Sequence, residues 1–141
     1  MEQRVDFITL GVPDVEAARR FYVEGLGWRP SFEVPGDITF IQVGHGRILA
    51  LWGAANLAAD VGAVPPGPMT LSHNVATDDD VRRATDLAVA AEAAILKPPQ
   101  QADFGGFHSH VADPAGFVWE ICHNPGWSVA QDGTVTIGPI D

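Results

Sequence analysis

The chain has 141 residues, 46% of them apolar, and a formal net charge of -10. That length suits one compact domain or two small modules sharing a core, and the charge argues against nucleic-acid phosphates or an anionic membrane surface as partners. One cysteine, Cys122, excludes an intrachain disulfide, and MEQRVDFITL carries neither region of a signal peptide, so a reducing cytoplasm is expected.

Ile8, Leu10 and Val12 alternate with Thr9 and Gly11, the period of a half-buried strand. Pro13-Asp14 interrupts it. Asp14 is a good helix N-cap, and Val15, Ala18, Phe21 and Tyr22 fall on one helical stripe. Gly25 and Gly27 bracket Leu26 and end that helix. Short strands are predicted over 28–34, 38–43 and 47–52, separated by turns at Pro35-Gly36-Asp37 and Gly44-His45-Gly46. Residues 53–68 lose the strand period and collect Gly, Ala and Pro, which reads as a linker with room for a short helical turn.

The pattern then restarts. A strand is predicted over 69–76, a helix over 78–91 and a strand over 94–97. Two more follow over 106–112 and 116–123, joined by the turn Asp113-Pro114-Ala115-Gly116. Val81, Ala84, Leu87, Ala88 and Ala91 form the second helix's buried stripe, and Asp78, Asp79 and Asp80 suit the positive end of its dipole. The tail, 126–141, suggests a hairpin or an arm. Residues 5–52 and 69–125 are thus two copies of a βαβββ unit, and such a unit needs a partner to cover its second surface.

Two stretches, FITLGVPDVEAARRFYVEGLGW at 7–28 and ADPAGFVWEICHNP at 112–125, carry a family resemblance. The chain resembles the vicinal oxygen chelate superfamily, the glyoxalase, bleomycin-resistance and extradiol-dioxygenase group. The resemblance implies a single α+β domain over 1–141. Its two paired βαβββ modules would have mixed, curled sheets enclosing a small-molecule cavity, with helices outside and usually a homodimer. It also implies a metal held by four strand positions, usually His or Glu. Carried over, these fall at Phe7, Ala50, Thr70 and Glu120, of which only the last is an effective ligand. The expectation is therefore no metal at those positions and no cofactor.

Glu120 is the candidate catalytic residue. In Val-Trp-Glu-Ile-Cys it shares a face with Val118 and Cys122. The resemblance turns that face toward the cavity, where partial desolvation would raise its pKa and suit it to acid–base work. The plainer alternative is a carboxylate satisfied by backbone donors or by an arginine such as Arg47. His108 and His110, two apart in Phe-His-Ser-His-Val, also share a face. They would hydrogen-bond a ligand, or join His73 and His123 in an unusual divalent-metal set. Thr9, Thr70, Ser72 and Asn74 would orient a small molecule, with Trp52 and Phe104 as apolar walls. The Phe104-Gly105-Gly106-Phe107 run reads as either a flap or an ordinary hairpin turn, and Cys122 as packing.

Two functions fit this pattern. One is a metal-independent protein that binds or sequesters a small organic ligand. The other is a glyoxalase-type lyase, isomerase or dioxygenase with Glu120 as base and an atypical histidine metal site.

Overall fold

A computed structural model describes residues 7–61 and 69–140. The expected start of the first module at Val5 and residues 62–68 of the expected linker lie outside the described residues. The chain falls into two compact units, Met1–Pro68 with Asp113–Gly116, and Met69–Ala112 with Phe117–Asp141.

The first unit is a four-stranded mixed sheet. Strands β1 (Phe7–Val12), β2 (Pro30–Val34), β3 (Ile38–Gly44) and β4 (Arg47–Gly53) lie in the order β1-β4-β3-β2, with β1 parallel to β4 and the other pairs antiparallel. Period-two alternation decides which side becomes core. Leu10, Val12, Thr39, Ile41, Leu49 and Leu51 are buried on the side that packs against helix α1 (Val15–Arg19). Each fully buried leucine there contributes about 1.5–3 kcal/mol by the area it removes from water. Asp14 caps α1 by accepting the Ala17 N–H at 2.9 Å. The helix widens into a π-helical turn over Arg20–Gly25, closed by the Leu26 N–H on the Phe21 carbonyl. The tyrosine of that turn, Tyr22, is fully buried and donates its hydroxyl to Asp113 at 2.6 Å.

The expected linker is in part helical, with α2 over Ala54–Val61. Four alanines and a leucine in this stretch favour helix by propensity, without a strand-like period.

The second unit repeats the topology. Strands β5 (Thr70–Asn74), β6 (Ala94–Gln101), β7 (Phe107–Ala112) and β8 (Val118–His123) lie in the order β5-β8-β7-β6. Helix α3 (Asp78–Ala90) packs on one face, and a small hairpin of β9 (Trp127–Val129) and β10 (Val135–Ile137) follows. Thr77 caps α3 by accepting the Asp80 N–H at 3.1 Å.

Two details depart from expectation. Leu87 is exposed, and the buried stripe of α3 runs through Val81, Thr85 and Ala88. Thr85 is accepted in the core because its hydroxyl donates to the Val81 carbonyl at 2.7 Å and pairs with Ser109 at 2.6 Å. Strand β6 also runs to Gln101, past Pro98-Pro99, with register shifts on both sides of Lys97. As the sheet's edge it tolerates residues without an N–H.

Candidate functional site

The second sheet brings most of the predicted residues together, and its register explains how. Ser72 on β5 lies opposite Glu120 on β8, and Glu120 lies opposite His110 on β7. One step along, Asn74, Cys122 and His108 form the adjacent row. Side chains two apart share a face, so Ser72, Glu120, His110 and His108 all stand on the side away from α3. His73 and His123 have the opposite parity. His123 is bound to Asp78 at the start of α3, at 2.7 Å, and His73 is exposed, so neither joins the cluster.

Glu120 is held by side chains on both oxygens. Ser72 donates to Oε2 at 3.0 Å, while Oε1 lies 3.2 Å from His108 Nδ1 and 3.8 Å from His110 Nε2. Burial alone would push this carboxyl up, but the hydrogen bonds from His108 and Ser72 and the nearby imidazoles outweigh it, and the net shift is downward. The expected raised value is thus corrected. Glu120 is partly desolvated, as its place in the strand suggested, yet its partners stabilise the ionised form more than burial disfavours it. His110 is held below its ordinary value, chiefly by burial, with His108 and Lys97 adding repulsion against the pull of Glu120.

Each ring also has a second nitrogen, His108 Nε2 and His110 Nδ1, that is buried without a hydrogen-bond partner among the described residues. Cys122, directly across the ladder from His108, has its thiol pushed up to about 11, first by burial and then by Glu120. It stays protonated at neutral pH, in keeping with a packing role.

Phe104 stands edge-on to His108, with ring centroids 6.1 Å apart. Its loop is an ordinary tight turn: the Ala102 N–H reaches the Gly106 carbonyl at 2.8 Å, and Gln101 donates to the carbonyls of Gly105 and Gly106. Gly105 has φ +93, and a Cβ on Gly106 would run into the Phe104 ring and the His123 carbonyl oxygen. Both glycines are therefore required by geometry.

Within the second unit, Thr70 and Asn74 have no hydrogen bond to this cluster among the described residues. Thr70 is exposed and sits opposite Val118; Asn74 is exposed beside Cys122. Thr9 and Trp52 belong to the first unit, where Thr9 lies opposite Ala50. The Trp52 indole N–H donates to Asp37 Oδ1 at 3.2 Å, an oxygen it shares with Asn56. Asp37, in the Pro35-Gly36-Asp37 turn, escaped the sequence reading because a turn aspartate gives no sign of a long-range acceptor role.

A sequence model of the Glyoxalase/Bleomycin resistance protein/Dioxygenase superfamily matches residues 4–121. The chain belongs to that superfamily. Among solved structures, a glyoxalase-related enzyme from Fulvimarina pelagi is 44% identical, with 97% of this chain and 99% of that chain covered and a TM-score of 0.88. A glyoxalase/bleomycin resistance protein/dioxygenase from Nocardioides is 23% identical over 87% of this chain and 84% of that one, with a TM-score of 0.71. Lactoylglutathione lyase from Agrobacterium tumefaciens is 20% identical over 86% and 94%, with a TM-score of 0.66. The last two likenesses speak for the fold alone. None of the curated proteins matches this chain. Among the described residues, no helix is long and apolar enough to cross a membrane.

The superfamily implies a metal ion, and the positions carried over for it do not fit one. Phe7 and Ala50 offer no donor, and Thr70 only a hydroxyl. The observed register puts Ser72 rather than Thr70 opposite Glu120, and Thr9 rather than Phe7 opposite Ala50. Neither assignment gives a divalent ion more than one carboxylate and hydroxyls. The expectation of no metal nevertheless meets a different group, His108, His110 and Glu120, whose donor atoms lie within 4.8 Å of one another.

Proposed function

We propose that this protein binds a small organic molecule at the Ser72–Glu120–His108–His110 face, through a group on the ligand that donates hydrogen bonds or carries positive charge. The observation that supports this is the state of Glu120. It is an ionised carboxylate, only partly exposed, oriented by Ser72 and His108 and flanked by an imidazole that favours its neutral form. Such a site attracts donors and cations and rejects anions. The net charge of -10 steers a cation in the same direction. Phe104, edge-on to His108, supplies an apolar part of the contact. A homodimer in a reducing cytoplasm goes with this reading, supported by superfamily membership and by a lone buried thiol.

A second reading, a glyoxalase-type enzyme with Glu120 as general base, draws its support from the 44% identical neighbour being a glyoxalase-related enzyme. The ionised carboxylate is ready to accept a proton from a carbon next to a carbonyl, with the imidazoles as donors to the developing oxyanion.

One experiment weighs both. Small arylalkyl amines, protonated at neutral pH, and their uncharged alcohol counterparts are titrated calorimetrically into the wild type and Glu120→Gln, and α-hydroxy ketones are followed by NMR for deuterium uptake from D2O. Binding predicts that the amines lose at least about tenfold in affinity in the variant, about 1.4 kcal/mol, while the alcohols change little. Equal amine affinity in both proteins would remove Glu120 as the anchor. Deuterium uptake that vanishes in Glu120→Gln would instead favour the enzyme.

A further inference from the structure

We infer that His108, His110 and Glu120 form a three-donor site for one divalent first-row transition ion, displaced from the strand positions at which the superfamily's metal would be held. The site shares only Glu120 with those positions; its other two donors come from β7, the neighbouring strand. The inference goes beyond the binding reading and does not depend on whether an organic ligand binds.

Three observations carry it. The first is placement. His110 lies directly opposite Glu120 and His108 two residues along the same face, so three donors converge without any loop having to move. The second is distance. Donors about 2.0–2.1 Å from one ion stand roughly 3.0–3.4 Å apart for angles near those of tetrahedral or octahedral coordination. His108 Nδ1 is already 3.2 Å from Glu120 Oε1, His110 Nε2 is 3.8 Å from it, and all three donor atoms lie within 4.8 Å of one another, so an ion would draw the His110 ring inward. Two imidazoles and one carboxylate are a donor set that suits zinc, iron, nickel or copper rather than magnesium or calcium.

The third observation is the orientation of the rings. A neutral imidazole ligates a metal through its bare nitrogen. The nitrogens turned toward Glu120 Oε1 are His108 Nδ1 and His110 Nε2, one from each ring, and the rings stand side by side, 5.0 Å apart between centroids, with His108 more than nine-tenths buried. The opposite nitrogens, His108 Nε2 and His110 Nδ1, face away from the site and take no part in it. Ser72 completes the arrangement. By holding Oε2 it leaves Oε1 turned toward both rings, the orienting role that a neighbour of a metal ligand commonly has.

The test uses the full chain stripped with EDTA and titrated with Co2+, read by visible absorption, and with Zn2+, read by competition with a chromophoric chelator. The expected result is one ion per chain. His110→Ala and Glu120→Gln should each weaken binding at least about tenfold, and Ser72→Ala should weaken it less. His123→Ala, remote from the cluster, should leave it unchanged. Circular dichroism and thermal melting of each variant separate a lost site from a lost fold. Should His110→Ala fail to fold, His110→Gln takes its place. The inference is overturned if neither ion binds at micromolar concentration, if binding survives both cluster variants at wild-type strength, or if His123→Ala abolishes it. Amine binding to the stripped protein remains a separate readout of the proposed function.

Discussion

The two sheets share one topology and spend the same positions differently. In the second sheet the central row reads Ser72, Glu120, His110; in the first, the equivalent row reads Thr9, Ala50, Phe40, and continues to Phe32. Where the second sheet places a carboxylate between a hydroxyl and an imidazole, the first places a methyl group beside aromatic rings. Phe40 packs edge-on against Phe7 at 5.5 Å and tilted against Phe32 at 5.6 Å. The helix-covered faces differ in the same sense: the first joins its sheet through apolar residues such as Ala18, Leu49 and Leu51, the second adds a Thr85–Ser109 hydroxyl pair. Backbone pairing fixes where side chains meet. Their chemistry then decides whether a face is wall or site.

The largest expected effect comes from erasing this difference. Ala50 is almost fully buried, and its ladder partners, Thr9 and Phe40, offer a carboxylate no positive charge. Ala50→Glu should therefore cost roughly 3 kcal/mol or more in chemical denaturation, through an unpaired buried carboxyl. A near-neutral result would mean that the two faces are interchangeable environments. Next in size is the polar seam under α3. Thr85→Val leaves the buried Ser109 hydroxyl without its partner and should cost about 1–3 kcal/mol. Adding Ser109→Ala should recover part of that loss; a double variant worse than the sum would show the pair is not coupled in this way.

The smallest effect is a pH dependence confined to the second sheet. The Glu120 carboxyl titrates below its ordinary value of 4.5 in the fold. It therefore stabilises the fold above the unfolded-chain value, and that contribution is lost as pH falls through the folded one. His110 sits below its ordinary 6.5, so the fold resists its protonation, and acidification through 6.5 favours the unfolded chain as well. Both act in one direction: metal-stripped protein should lose stability from pH 7 to pH 4. Urea midpoints across that range should show a shallower acid loss in Glu120→Gln. The same slope in both proteins would assign the acid sensitivity to other groups.

Much of this was legible in the chain. Period-two alternation located the strands, and Asp14 and the Asp78-Asp79-Asp80 run marked two helix starts, while the Thr77 cap came from the structure. The His108–His110 shared face followed from spacing alone. What spacing could not give was register. Nothing local says that His110 faces Glu120 or that Ser72 stands on its other side, and it is these neighbours that turn an expected upward pKa shift into a downward one. The exposure of Leu87 was hidden for a similar reason: the helix stripe fixes a face only to within one residue, and the Ser109 hydroxyl selected Thr85. Helix α2 escaped because alanine-rich segments carry propensity without periodicity.

Edge strand β6 has one more consequence, for life in a crowded solution. Pro98 and Pro99 remove two successive amide donors, and register shifts on either side of Lys97 interrupt the ladder further. Ile95 and Leu96 are exposed on this strand, an apolar edge of the sort that recruits neighbouring chains into continuous sheets. An incoming strand would find its ladder broken after a few residues. At the far edge of the other sheet, β2 opens on Pro30 and is shifted in register before Phe32, so the same guard is posted there. Prolines at the sheet edges thus work against strand-to-strand association of exposed apolar residues.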